Sequence, residues 1–323
     1  MTDSSFKPPA LLRNAHIQTL ISSTPLRSWP LRWRTRHLQA RAEDVVLHCT
    51  GGIRLHGLYN AAVAPVRGLV ILIHGWEGDA RSSYQLSTAH SLHKAGFDVM
   101  RLHLRDHGPS HHLNPELYNS TRLQEVIDAI ADTQRRYPHN KTFLAGHSLG
   151  GNFALRVAAK APAQGLQLDH VVAVCPVLDP WHTINALETG SQVYHRYFVH
   201  RWQRSLRIKL DHFPELGYAD SLLEMQTLAD MNDYFVPNHT DYDDARSYYE
   251  AYALTGDTLA GLTVPSQLIL SEDDPMIPCE DLQRVASSDA LTIETTRYGG
   301  HCGFLKNWKL DSWIDQRLLE LFH

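Results

Sequence analysis

Residues 141–160 read KTFLAGHSLGGNFALRVAAK, and the reading of this stretch decides the fold. Phe143, Leu144 and Ala145 form a short apolar run of the kind that makes a buried strand. Gly146-His147-Ser148-Leu149-Gly150 follows, with a further glycine at 151. Phe153, Ala154, Val157 and Ala158 then recur at helical spacing as far as Pro162. Strand, G-x-S-x-G and helix in that order are the context of a nucleophile elbow. Such a turn has no room for side chains two residues before and two after the serine, so both positions are glycine. It lifts the Ser148 hydroxyl clear of the sheet, and the next helix aims its first N–H groups toward it. Taken alone, five residues also fit a plain glycine-rich turn; the strand and helix on either side favour the elbow.

Outward from this stretch, apolar runs alternate with helical periodicity. Asp44–His48 and Arg54–Tyr59, joined by Thr50-Gly51-Gly52, predict a β-hairpin. Gly68–Ile73 (GLVILI) predicts a central parallel strand, ending in His74-Gly75-Trp76-Glu77-Gly78. A helix is expected over 82–94, stopped by Gly96, then a strand over 97–104 ending in Arg105-Asp106-His107-Gly108. A helix over 121–137 carries Leu123, Val126, Ile127 and Ile130 on one face. Strands are expected at 169–175, 266–270 and 291–296, with a helix over 280–286 and an amphipathic helix over 308–322 to close the chain. This alternation predicts an α/β fold with a mostly parallel sheet flanked by helices. Residues 178–260 break the pattern. They lack strand-like runs, are rich in Tyr, Arg and Asp, and predict helices near 191–207, 220–230 and 243–253. We read them as a helical cap inserted between 44–177 and 261–323; a separate small domain is the alternative.

With 323 residues, 43% of them apolar, the chain has enough material for a full-sized core. A net charge of −5 gives no argument for a nucleic-acid partner. The four scattered cysteines, Cys49, Cys175, Cys279 and Cys302, form no C-x-x-C pair and predict free thiols in a reducing compartment. The opening residues lack a basic start followed by an apolar run, and no apolar stretch approaches the roughly 20 residues of a bilayer span. A cytoplasmic protein is the expectation. Residues 1–43 hold one acid, Asp3, against Lys7, Arg13, Arg27, Arg32, Arg34, Arg36 and Arg41, with Trp29 and Trp33 among them. Pro25 and Pro30 are expected to break any long helix there. The favoured reading is an extension packed on the core with its arginines in ion pairs. A surface that meets anionic lipid or an acidic substrate is the lesser one.

A serine hydroxyl needs a base to take its proton and an acid to orient that base. In a parallel sheet the loops after successive strands open on one edge. Ser148, Asp274 and His301 each follow a strand, in the order Ser, Asp, His. His301 is the expected base, on a loop that Gly299, Gly300 and Gly303 would leave mobile. The acid is Asp273 or Asp274; Asp274 is chosen, and the other is expected to cap the following turn. Asp106 and Asp179 are distant alternatives. The oxyanion donors are expected to be the backbone N–H groups of Leu149 and Trp76. His147 is expected to point away from the site. His103, His107, His111 and His112 invite a metal reading, but Gly108 and Pro109 interrupt any helical ligand spacing, so no metal is expected. Neither a phosphate loop nor a convincing dinucleotide fingerprint is present, so no cofactor is expected.

Several stretches together resemble the YheT-like branch of the α/β-hydrolase superfamily. They are Arg13-Asn14-Ala15-His16-Ile17-Gln18-Thr19-Leu20, His74-Gly75-Trp76-Glu77-Gly78, Arg105-Asp106-His107-Gly108, Gly146-His147-Ser148-Leu149-Gly150-Gly151-Asn152, Asp273-Asp274-Pro275 and Gly300-His301-Cys302-Gly303. The branch includes bacterial esterase-like proteins, yeast medium-chain ethyl-ester synthases and animal lipid hydrolases. The resemblance implies the α/β-hydrolase fold, a triad of Ser148, Asp274 and His301, and carboxylic esters of short or medium acyl chains, or lipids, as substrates. It also makes residues 1–43 a family feature. Where the branch often carries further glycines and an Asn after the Arg-Asp-His-Gly motif, this chain has Pro109-Ser110-His111-His112. The leading expectation is a serine esterase acting on a small-molecule ester or lipid. Acyl transfer to an alcohol shares its first half-reaction, and peptide cleavage its machinery. A non-catalytic binding protein on the same fold is the reading from another class. Dehalogenase or epoxide-hydrolase chemistry would need a carboxylate at 148.

Overall fold

A computed structural model describes residues 2–3 and 6–323; the remainder of the basic N-terminal stretch, at 1, 4 and 5, lies outside the described residues. The strands, in chain order, are β1 (Thr2–Asp3), β2 (Glu43–His48), β3 (Arg54–Asn60), β4 (Gly68–Ile73), β5 (Phe97–His103), β6 (Thr142–His147), β7 (His170–Val174), β8 (Ser266–Ser271) and β9 (Leu291–Thr296). They form one sheet in the order β1-β9-β8-β7-β6-β4-β5-β3-β2. From β1 to β5 every pairing is parallel, and the β2–β3 hairpin adds antiparallel to β5. The sequence of each strand reports its place. All six residues of β4 are buried, which requires cover on both faces and explains the unbroken apolar run. Edge strand β2 instead alternates, with Val45 and Leu47 buried and Val46 exposed.

The helices are α1 (Ala15–Ile21), α2 (Pro25–Arg34), α3 (Arg36–Ala40), α4 (Ser83–Lys94), α5 (Leu123–Arg136), α6 (Leu149–Lys160), α7 (Pro180–Thr189), α8 (Gln192–His212), α9 (Ala219–Glu224), α10 (Leu228–His239), α11 (Ala245–Glu250) and α12 (Trp313–Leu321). α5 packs on α6, and α4 packs on α2 and α12. Val126, Ile127 and Ile130 of α5 are buried as the periodicity predicts. Among the described residues, no helix is long and apolar enough to cross a membrane.

Several expectations are corrected. Pro30 lies inside α2 rather than ending a helix; a helix of this length loses one backbone hydrogen bond there, and the facing residue, Leu26, is exposed. Among the described residues, the arginines of the N-terminal segment are mostly not in ion pairs. Arg34 meets Asp311 at 3.3 Å, whereas Arg27 is buried and donates to the carbonyls of Leu310 and Ser22. The helix expected over 280–286 is a 3₁₀ helix, Cys279–Arg284. The closing helix begins at 313, not 308. Asn307 Oδ1 accepts from the N–H groups of Lys309 and Asp311, which holds a turn with Leu310 at φ 59°.

Between β7 and β8 the chain makes five α-helices, α7 to α11, and two short 3₁₀ turns, where three helices were expected. The missed α7 is announced by Asp179-Pro180. Asp179 caps the N–H groups of Trp181 and His182, and Pro180 occupies the first helical position. The stretch 220–230 is two helices, because Thr227 and Asp230 form a capping box that starts α10 afresh.

Candidate active site

Ser148 sits between β6 and α6 with φ 55° and ψ −122°, a strained setting for a residue with a side chain. Its N–H donates to Val174 O at the end of β7 at 2.8 Å, which fixes the turn to the neighbouring strand. The flanking glycines are required by space. A Cβ on Gly146 would lie 2.0 Å from Gly150 O, and one on Gly150 would lie 2.4 Å from the carbonyl oxygens of Ile73 and His74. The turn after β4 is equally close, since a Cβ on Gly75 would sit 3.1 Å from Ser148 Cβ. Along that turn Gly75 N–H donates to Tyr84 Oη and Glu77 N–H to His107 Nε2. The intervening Trp76 N–H makes no hydrogen bond among the described residues, nor does Leu149 N–H at the head of α6.

The structure brings together Ser148, His301 and Asp274. His301 Nε2 lies 2.9 Å from Ser148 Oγ, and His301 Nδ1 lies 2.9 Å from Asp274 Oδ2. The Asp274 side chain is wholly buried. Its Oδ1 accepts from Met276 N–H at 2.8 Å and Ile277 N–H at 3.0 Å, so Asp274 itself caps the following turn while facing the imidazole. Asp273, expected to cap that turn, instead accepts from Gly300 N–H at 2.8 Å. Burial opposes a charged imidazole at 301, but the negative charges of the Asp274 carboxylate and, where ionised, the Cys302 thiolate outweigh it and raise the ring to about 9.

The His301 loop is anchored rather than mobile. Thr19 Oγ1 accepts from His301 N–H at 2.9 Å, and Gln18 Oε1 accepts from Leu305 N–H at 2.7 Å. A Cβ on Gly303 would lie 2.6 Å from Gln18 O, so this glycine serves close packing against α1. The Arg13–Leu20 motif thus acts on the site through the loop it holds.

The remaining candidates lie elsewhere. Asp106 pairs with Lys209 at 2.7 Å, and Asp179 pairs with Arg284. His147 is buried against Tyr84. Both ring nitrogens of His74, His103 and His107 are engaged, with Gly75 O and Leu104 N–H, His56 Nδ1 and Ala80 N–H, and Arg105 O and Glu77 N–H respectively. His111 Nε2 meets Ser205 Oγ. This histidine group is a network that ties the loops after β4 and β5 together. Asn152, quoted in the sequence without a role, is one that sequence reasoning missed. Wholly buried in α6, it donates to the carbonyls of Val177 and Tyr252 and so clasps both ends of the helical stretch.

Above Ser148 the helical stretch walls a cleft of about 740 Å³, counting its open mouth. Phe198 stacks on Trp76 at 5.1 Å, and Trp202 meets the same ring edge-on at 5.3 Å. Ile184, Leu187, Tyr248 and Tyr249 complete an apolar, aromatic lining. On the other side of Ser148 and His301 lies a second, wider cleft bordered by α1, α2, the turn after β4 and α8.

Residues 70–309 match the model of the Alpha/beta hydrolase family. The chain belongs to that family. As an α/β hydrolase it is 24% identical to "Putative esterase YheT" of Escherichia coli (strain K12), over 98% of this chain and 92% of that one. The resemblance to the YheT-like branch is thereby borne out. It is 22% identical to the "Monoacylglycerol lipase" of Saccharomyces cerevisiae (strain ATCC 204508 / S288c), over 79% of this chain and 59% of the relative. Among solved structures it is similar to an esterase from Pyrococcus furiosus, with a TM-score of 0.58 and 14% identity, covering 88% of this chain and 93% of that one. At that identity the likeness shows the fold.

Proposed function

We propose that this α/β hydrolase is a serine carboxylic ester hydrolase acting through an acyl-enzyme on Ser148. The observation that carries the reading is the hydrogen-bonded line Ser148 Oγ, His301 Nε2, His301 Nδ1, Asp274 Oδ2 on an elbow with the serine at φ 55°. The Escherichia coli and Saccharomyces cerevisiae relatives, named an esterase and a lipase, agree with it.

In this mechanism Ser148 Oγ attacks the ester carbonyl as its proton passes to His301 Nε2. Asp274 accepts from Nδ1–H, fixing the tautomer and offsetting the charge on the ring. The oxyanion of the tetrahedral intermediate falls to the N–H groups of Trp76 and Leu149, which have no competing acceptor among the described residues. Collapse expels the alcohol, protonated from Nε2. A water then gives its proton to the same nitrogen and attacks the acyl carbon; the acyl–Oγ bond breaks, His301 Nε2 returns the proton to Ser148 Oγ, and the acid is freed. The helical stretch 178–260 acts as a cap over the core formed by 44–177 and 261–323. Its aromatic cleft takes the acyl group and excludes bulk water. Residues 1–43 serve as a packed extension that steadies the His301 loop.

Intact-protein mass after brief exposure to a fluorophosphonate tests this reading. One adduct on the wild type and none on Ser148→Ala is the expected result. A folded wild type that takes no adduct, or a Ser148→Ala variant that still turns over p-nitrophenyl esters, overturns it.

A further inference from the structure

Ser148 and His301 line two adjoining clefts that differ in the charged side chains at their borders. The aromatic cleft under α7 and α8 carries no arginine, lysine or acidic side chain in its lining. The wider cleft, about 1290 Å³ counting its open mouth, is bordered by Arg32, Arg81 and Arg201. None of the three is in an ion pair with a carboxylate among the described residues. Arg32 and Arg81 are exposed; Arg201 is half-buried, its Nη2 donating to the Glu77 carbonyl and its Nε lacking a partner. Ser23, Ser28, Ser82 and Ser83 also line this cleft, beside apolar side chains such as Leu20, Val193 and Tyr197.

Two acids also border this cleft. Asp79 Oδ1 accepts from Arg81 N–H at 2.7 Å and faces the Ser82 hydroxyl, so one of its oxygens is occupied by its own turn. Glu77 is buried, and burial pushes its carboxyl up to about 7 against the pull of Arg201. Its charge is therefore only partly present near neutrality. The balance at the cleft is positive, whereas the chain as a whole is at −5. A positive field focused in a cleft of a negative protein favours an anionic ligand.

Resting on the ester-hydrolase reading, we infer that the wider cleft receives the leaving alcohol and selects an ester whose alcohol part is hydrophilic and negatively charged. The apolar acyl group enters the aromatic cleft, and the alcohol departs toward the arginines. Guanidinium groups suit a carboxylate or phosphate on that alcohol, and the serine hydroxyls suit its neutral oxygens.

The test compares three chromogenic esters of one acyl group: 4-nitrophenyl butyrate, 3-carboxy-4-nitrophenyl butyrate and an analogue bearing a trimethylammonium group on the ring. At low ionic strength the carboxylate ester should lead the neutral one by about fivefold in kcat/KM, the scale of one exposed ion pair. The cationic ester should trail both. Added salt should shrink the spread. Arg81→Glu, at an exposed position that should not trouble folding, should lower kcat/KM for the carboxylate ester more than for the neutral one, and Arg32→Glu should act in the same direction. Turnover of all three esters at equal rates, or a lead for the cationic ester, overturns this inference and leaves the ester-hydrolase reading standing. Turnover of none by the folded protein overturns both.

Discussion

The loops at the strand ends and the helical stretch between β7 and β8 are built on different principles. At the strand ends each group proposed to react is held by a few short bonds to backbone. Asp274 grips the N–H groups of Met276 and Ile277, Ser148 N–H is tied to Val174 O, and His301 N–H is tied to Thr19. The helical stretch is held by packing and by polar fastenings on the core, among them Asn152 to its two ends, Lys209 to Asp106 and Ser120 N–H to Tyr248 Oη. Geometry at the strand ends is fixed to tenths of an ångström because hydrogen bonds are directional. The helical stretch needs only to keep its aromatic wall in place. On the proposed function, changes in the first region should act on rate, and changes in the second on stability and acyl preference.

The sharpest way to break this comparison is at the adjacent acids. Asp274→Asn leaves the turn capped through one oxygen but removes the charge facing His301 Nδ1. We expect kcat/KM to fall by about 10⁴-fold, the scale of losing the orienting carboxylate in such a line. Asp273→Asn, which keeps an oxygen for Gly300 N–H, should lose far less. Steady-state kinetics on p-nitrophenyl butyrate reads both. The reverse ranking would assign the orienting role to Asp273.

A smaller effect is expected where the helical stretch is fastened. Lys209 Nζ meets Asp106 Oδ1 at 2.7 Å and also donates to the carbonyls of His111, Asn114 and Glu116. Burial lowers the lysine and raises the aspartate, and each offsets the other's desolvation. Lys209→Met leaves the buried Asp106 carboxylate without its cation, held only by the Tyr118 N–H, and should destabilise the fold by about 3–5 kcal/mol in urea titration. Unchanged stability would show that α8 is held by its aromatic contacts without this pair.

The same division explains what was legible in the sequence. The bounds of Gly68–Ile73 and Leu291–Thr296 are those expected, because fully buried or paired strands leave an unmistakable apolar or β-branched run. Ser148, Asp274 and His301 could be picked because each is a polar residue just beyond such a run. The helical stretch was read only in outline. Its helices are amphipathic toward one another as well as toward the core, and their starts are marked by caps such as Asp179 and Thr227 rather than by periodicity. The anchoring of the His301 loop was illegible for another reason. Gln18 and Thr19 act on residues more than 280 positions away, and local pattern carries no trace of such contacts.

The finest test concerns how the strand-end site sets its own working pH. Cys302 follows His301 at φ 57°. Burial opposes its thiolate, but a hydrogen bond from Cys175 and the nearby imidazolium lower it overall. In turn the Asp274 carboxylate and Cys302 raise His301 to about 9 against burial. A base must be unprotonated to accept the Ser148 proton, so kcat/KM should climb with pH as His301 loses its charge toward about 9. Cys302→Ala removes one source of negative potential and leaves Asp274 in place, so the climb should begin at lower pH while the plateau changes little. Stability should follow the opposite sense. The imidazolium's contribution is fully present below the unfolded histidine value of about 6.5 and is lost as pH rises through the folded value, so the variant should lose a little stability at neutral pH and none at high pH. A pH profile that does not move would mean that Asp274 alone sets the protonation of His301, and that the thiol beside it is a packing group.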